Sequence, residues 1–213
     1  MVKVKVCGLT DEDGVTAAVE AGADFLGVVF YAGSPRHVSV ARAAELLDPV
    51  PRRVQRVGLF VDPDDAVLDA VISHVRLDFV QLHGSESVER VEAVRLEYGI
   101  PVIKAYHVGQ AADLDAALPL AEVADWLLFD ARPPAGAGRP GGNALSFDWT
   151  LLNGRKWPVP WMLAGGLDAT NVREAIRLSG AKAVDVSSGV ERLPGVKDAR
   201  KIAEFVTSAK QMR

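Results

Sequence analysis

Residues 2–30 read VKVKVCGLTDEDGVTAAVEAGADFLGVVF. The opening Val2–Cys7 alternates valine with lysine and then cysteine, the period of a strand with two unlike faces. Asp11–Ala21 follows with Val15, Ala18 and Val19 at helical spacing. Phe25–Phe30 is again short, apolar and partly β-branched. Strand, helix and strand without a hairpin turn between them make a unit of parallel sheet.

The same rhythm continues outward. Further strands are expected at Val54–Val61, Phe79–Leu82, Pro101–Tyr106, Trp126–Asp130, Val159–Ala164 and Ala183–Val186. Helical segments are expected at Ala41–Leu47 with Ser39 as N-cap, at Asp64–Val75, and at Ser87–Tyr98 with Gly99 as its stop. Ala111–Leu120, Asn171–Leu178 and Asp198–Met212 complete the set, with a turn or two at Trp149–Leu152. Eight strand–helix units in 213 residues lie near the lower size limit of a (β/α)8 TIM barrel, an α/β fold with one closed parallel sheet. No composition break divides the chain, so residues 1–213 are expected to form a single barrel domain that carries the catalysis.

The composition sets limits. Apolar residues make up 49% and charged residues 24%, an ordinary globular balance. Lys plus Arg total 24 against 28 Asp plus Glu, a net charge of −4. Such a chain has no global field for nucleic acid or an anionic membrane, and any anionic ligand needs a local site. One cysteine excludes an internal disulfide and a cysteine-based zinc site, and suits a reducing compartment. No apolar run is long enough for a signal peptide or a membrane span, which points to a cytoplasmic location.

In a barrel the chemistry sits at the C-terminal ends of the strands. Those ends carry Cys7, His83 and Asp130, and two turns rich in Gly and Ser, at Gly165–Gly166 and Ser188–Gly189. Glycines there let the backbone approach a ligand, and a phosphate between the loops after strands seven and eight is a recurrent barrel device. A phosphorylated small molecule is the expected ligand. Alternation places Lys5 and Cys7 inside the barrel with Val4 and Val6 facing the helices. Asp185 points inward from strand eight, beside strand one, where it can pair with Lys5. Arg36 lies in a loop at the same mouth, where its planar fork could clamp a carboxylate. His83 and Asp130 also admit a purely structural reading, as a satisfied histidine and a turn aspartate.

Taken in order, KVCGLT at 5–10, GADFLGVVF at 22–30, SPRHVS at 34–39, VGLFVD at 57–62 and VQLHG at 80–84 resemble the phosphoribosylanthranilate isomerases of tryptophan biosynthesis. FDA at 129–131, GGNALSFDW at 141–149, LAGGLDATNV at 163–172, VDVSSGVE at 184–191 and PGVKD at 194–198 extend the likeness over nearly the whole chain. The resemblance implies a (β/α)8 isomerase without metal or organic cofactor, acting as a monomer or homodimer. It converts N-(5′-phosphoribosyl)anthranilate into 1-(2-carboxyphenylamino)-1-deoxyribulose 5-phosphate by an Amadori rearrangement. It implies Cys7 as general base and Asp130 as general acid. Arg36 then binds the anthranilate, the turns at 165–166 and 188–189 grip the phosphate, and His83 and Asp185 also face the substrate.

An ordinary thiol (pKa ~8.5) and an ordinary aspartate (~3.9) are each in the wrong state for these roles at neutral pH. Cys7 is therefore expected to need positive charge nearby, with Lys5 the nearest source. Ala144 stands where the family usually has glycine, and the loop 131–143 (ARPPAGAGRPGGN) is rich in proline and glycine, which bears on closure over the substrate. Two other readings are a related phosphosugar barrel, such as the histidine-pathway isomerase with its pair of aspartates, and an inactive ligand-binding barrel. Cys7 in place of one aspartate speaks against the former, and the presence of both Cys7 and Asp130 against the latter.

Overall fold

Successive strand–helix units put each strand beside the previous one, and in the computed structural model the eighth returns to the first. The structure describes residues 1–132 and 146–212, so Ala144 and most of the 131–143 loop lie outside the described residues. The strands are β1 (Lys3–Cys7), β2 (Phe25–Val29), β3 (Gln55–Phe60), β4 (Phe79–Leu82), β5 (Val102–Val108), β6 (Trp126–Ala131), β7 (Trp161–Leu163) and β8 (Ala183–Val186). They form a closed barrel in sequence order, every pair parallel. The expected fold class is the observed one.

The helices are α1 (Glu12–Ala21), α2 (Val40–Leu47), α3 (Asp65–Ile72), α4 (Val88–Tyr98), α5 (Ala111–Ala116), α6 (Leu118–Val123), α7 (Val172–Ser179) and α8 (Ala199–Lys210). The caps read from the sequence hold: Ser39 Oγ accepts from Arg42 N, and Gly99 ends α4 in the left-handed conformation. The single helix expected over 111–120 is instead α5 and α6, because Pro119 lacks the N–H a continuous helix needs and suits the first turn of a new one. After β8, a short helical turn at Ser188–Val190 leads into an unforeseen hairpin of β9 (Glu191–Leu193) and β10 (Val196–Lys197).

Alternation sorts the side chains as expected. Val4, Val6, Val184 and Val186 join the large apolar cluster between barrel and helices. Phe25, Val57, Ile103, Ala105, Leu128, Met162 and Ala164 fill the interior. At the floor, Phe25 meets Phe79 and Trp126 edge to face, with ring centroids 5.8 and 5.7 Å apart. These three aromatics start β2, β4 and β6, and each follows an aspartate. Asp24, Asp78 and Asp125 accept the N–H groups of Val4, Arg56 and Val102 on the preceding strands at 2.8, 2.8 and 2.9 Å. The same Asp–aromatic pair thus caps one strand and plugs the barrel three times. The floor is closed, and the open end is the C-terminal mouth.

Candidate active site at the barrel mouth

Cys7 is buried at the top of β1, facing inward. A Cβ on Gly27 of β2 would stand 2.8 Å from its Sγ, so glycine makes room for the thiol. Below it, the register pairs Lys5 with Asp185, and Lys5 Nζ donates to Asp185 Oδ1 at 2.9 Å in the fully enclosed interior. Burial opposes the Lys5 charge, but Asp185 and then Cys7 more than offset it and hold its pKa above the ordinary value. For Cys7 burial wins. It raises the thiol's pKa although Lys5 and Lys197 pull it down. The nearby charge that the sequence reading called for is therefore present, yet without ligand it does not make Cys7 a ready thiolate.

Arg36 lies beside this pair, also buried. Its Nε and Nη2 donate to the two carboxylate oxygens of Glu191 at 2.7 and 2.9 Å. Glu191 Oε1 also accepts from Lys197 Nζ at 2.8 Å, and that ammonium further donates to Ser187 O at 3.0 Å. Burial works against the Glu191 charge, but Arg36 and Lys197 outweigh it and keep the carboxyl below its usual range. Burial lowers the pKa of Lys197 despite Glu191. Gly8, at φ 76°, lets the Arg36 side chain pass, since a Cβ there would overlap Arg36 Cδ. The Nε–Nη2 edge of the Arg36 fork is thus held by the protein, leaving the Nη1–Nη2 edge outside that pair.

Across the mouth stand Asp130, His83 and His107, from β6 and the ends of β4 and β5. Asp130 Oδ1 accepts from Ala131 N at 2.8 Å, and Oδ2 lies 3.3 Å from His83 Nε2. That nitrogen is buried without a hydrogen bond, whereas His83 Nδ1 meets Gln81 Nε2 at 2.9 Å. His107 is the register partner of Asp130, and its ring meets that of His83 at 5.6 Å and 70°. One ligand-type atom from each of the three residues falls within 4.8 Å of the others, although the sequence gave no sign of a metal-binding group. On the opposite face of β5, Lys104 pairs with Glu86 at 2.6 Å and donates to Gly84 O at 2.8 Å. Glu86 in turn accepts from Asp62 N and Gly84 N, each at 3.0 Å, which fixes the loop that carries His83.

The two glycine turns lie between these groups. Gly165 (φ 89°) and Gly166 (φ 64°) are left-handed. A Cβ on Gly165 would stand 2.7 Å from Ala131 N and 3.0 Å from Asp130 Oδ1, so this glycine also shapes the surroundings of Asp130. The short turn at Ser188–Val190 closes with Val190 N on Ser187 O, leaving Ser188 N and Gly189 N without a partner inside it. One expectation needs correction. A side chain at Gly189 would strike Leu167 O before any ligand, because the two turns pack against each other there. Gly189 is thus required by the protein's own backbone.

The model of the N-(5′-phosphoribosyl)anthranilate isomerase family matches residues 4–208. The chain belongs to this family. It is 63% identical over 209 residues to the N-(5′-phosphoribosyl)anthranilate isomerase of Paramagnetospirillum magneticum, covering 98% of this chain and 97% of that one. Identity to the Rhodospirillum rubrum isomerase is 62% over 212 residues, with 98% and 97% covered. Among solved structures, the Thermotoga maritima phosphoribosylanthranilate isomerase superposes with a TM-score of 0.88 at 40% identity over the whole of both chains. A phosphoribosylanthranilate isomerase in complex with reduced 1-(o-carboxyphenylamino)-1-deoxyribulose 5-phosphate gives 0.84 at 37%, again over both full chains.

The isomerase resemblance already ran through the motifs holding Glu191 and Lys197, but the sequence reading gave those two residues no part. Their signal was weak, because the hairpin that joins them has strands too short for periodicity. His107 was missed because the fifth strand was ended at Tyr106. Extending the inward series Ile103 and Ala105 by one step would have found it.

Proposed function

We propose that this family member is itself a phosphoribosylanthranilate isomerase and that Cys7 and Asp130 carry the rearrangement. Residues 1–213 then act as one barrel catalytic domain, in the cytoplasm, where a reducing environment keeps the Cys7 thiol free. The observation that carries the reading is that Cys7 and Asp130 face inward at the mouth on β1 and β6, strands separated by β7 and β8 around the ring. That spacing suits an acid and a base working on opposite sides of one sugar.

Asp130 delivers a proton to the furanose oxygen. The C1′–O bond breaks, the anilino nitrogen's lone pair forms the C=N bond, and an iminium results. This acidifies the C2′ hydrogen, which Cys7 removes as thiolate, and the electrons form the enolamine. Tautomerisation places a proton on C1′ and leaves a ketone at C2′. No proton is gained or lost overall, and no cofactor takes part. Because Cys7 rests as a neutral thiol, it must lose its proton before this step, and Lys5 and Lys197 are the cations that favour the loss.

Arg36 presents its open edge to the anthranilate carboxylate. The turns at 165–166 and 188–189 receive the phosphate with backbone N–H groups. His83 stands beside the Asp130 carboxyl, with Nε2 3.3 Å from Oδ2, and both His83 and Asp185 line the site, where Asp185 fixes Lys5 beneath the thiol. Turnover of phosphoribosylanthranilate generated in situ, followed as loss of anthranilate-type fluorescence, tests the reading. Absence of turnover, or turnover only of the histidine-pathway aminoaldose, would overturn it.

A further inference from the structure

We propose that His83, His107 and Asp130 form a binding site for a borderline divalent transition-metal ion of the Zn2+ class, and that the bound ion takes Asp130 out of use. Two imidazoles and one carboxylate suit such an ion, whereas Mg2+ and Ca2+ prefer oxygen donors. The three residues stand on adjacent strands β4, β5 and β6, and their donor atoms lie within 4.8 Å of one another. The His83 Nε2 to Asp130 Oδ2 separation of 3.3 Å is close to the ~3.4 Å expected between tetrahedral ligands of an ion bound at ~2.1 Å.

The surroundings add a second, independent argument. His83 is buried, yet its Nε2 has no hydrogen-bond partner, and Gln81 Oε1 behind it has none either. A half-turn of the Gln81 amide turns Oε1 toward the His83 ring. Oε1 then accepts from His83 Nδ1–H, and the Nε2 lone pair is free to bind the ion. Such an outer partner is what fixes the tautomer of a metal-bound histidine. With Asp130 engaged, no carboxyl remains to protonate the sugar, so the ion inhibits. This last consequence rests on the proposed role of Asp130, whereas binding does not.

The test uses the full chain stripped of metal by chelator. Titration with Co2+ should give the intense visible bands of four- or five-coordinate cobalt at one equivalent, bleached by Zn2+, without a near-ultraviolet thiolate band from Cys7. His107→Gln should weaken binding by at least ~10-fold, the lower end of what losing even an outer partner costs. A reading on the unmodified protein guards against a misfolded variant: Zn2+ should shift the ring 15N signals of His83 and His107 and leave those of His37 and His74 in place. Zn2+ should also inhibit isomerisation, reversibly by chelator, in the wild type and not in His107→Gln. Undiminished affinity in His107→Gln, a thiolate band, or unmoved His83 and His107 signals would overturn the site. The cobalt and nitrogen readings do not depend on turnover, so failure of the isomerase reading would show separately, as a metal-free protein that does not convert phosphoribosylanthranilate.

Discussion

The two sides of the barrel mouth are built on opposite principles. On the β8–β1–β2 side, full charges are locked to one another: Lys5 to Asp185, and Arg36 and Lys197 to Glu191. On the β4–β5–β6 side the inward groups are two imidazoles, one carboxyl and an amide, with His83 Nε2 and Gln81 Oε1 lacking a hydrogen bond. The fixed charge there is kept behind the wall, in the Lys104–Glu86 pair. The first side holds a constant field around a thiol. The second holds its groups through fewer hydrogen bonds. The proposed acid and base, set in one pocket, need this difference, since each must be tuned without its surroundings compensating the other.

The largest effect should come from breaking the locked side. Lys5→Met leaves Asp185 as a buried charge without its partner, which should cost about 3–5 kcal/mol in urea unfolding. Lys5→Met with Asp185→Leu should recover most of that loss, and an equal loss in the double variant would mean the pair is not coupled. Removal of Lys5 also takes away a cation that favours the thiolate, so the alkaline rise of kcat/KM should move to still higher pH.

Next in size is the proposed catalytic pair that spans the two sides. Cys7→Ala and Asp130→Asn should each lower turnover by at least ~100-fold while leaving the unfolding midpoint close to wild type. Near-normal turnover in Cys7→Ala would move the role of base across the mouth to His83. Arg36→Ala is expected to raise KM more than it lowers kcat, by the ~1.5–3 kcal/mol of a charged hydrogen bond. A ligand without the carboxylate should lose affinity for the wild type and hardly any for the variant. Equal losses in both would take Arg36 out of the binding site.

The smallest effect tests whether both sides depend on ionised carboxylates. Burial opposes the charge on Glu86 and Glu191, but Lys104 in one case and Arg36 with Lys197 in the other hold each pKa below the ordinary value. Each therefore contributes stability that is complete above an unfolded glutamate's ~4.3 and is lost as pH falls through the lower folded value. Glu86→Gln should be less stable than wild type at pH 7, and the gap should narrow below that range. A gap independent of pH would show that Glu86 acts through packing alone.

How much of this was legible depended on the length of the pattern. The Lys5–Asp185 pair could be read because closure puts β8 beside β1 and alternation turns both residues inward. Ser39 and Gly99 announced helix ends because capping chemistry is local. Pro119 divides a helix that the apolar pattern alone would have continued. The hairpin bearing Glu191 and Lys197 escaped because its strands span three and two residues, below any period. The resting state of Cys7 is not legible for another reason: a sequence shows which cation is near but not how completely water is excluded.

The β9–β10 hairpin bears on how the protein is made. Lys5 and Asp185 lie 180 residues apart, and Arg36 waits for Glu191 and Lys197 from the same late stretch. Thr10 is tied there too, through its hydroxyl on Gly195 O at 3.0 Å. A growing chain therefore carries an unpartnered lysine and arginine until nearly all of it has left the ribosome. No partial product can hold a finished mouth, so closure of the ring and completion of the pocket are one event. Chains cut short before the hairpin should be recognised by the cell as unfinished rather than persist as weak enzymes.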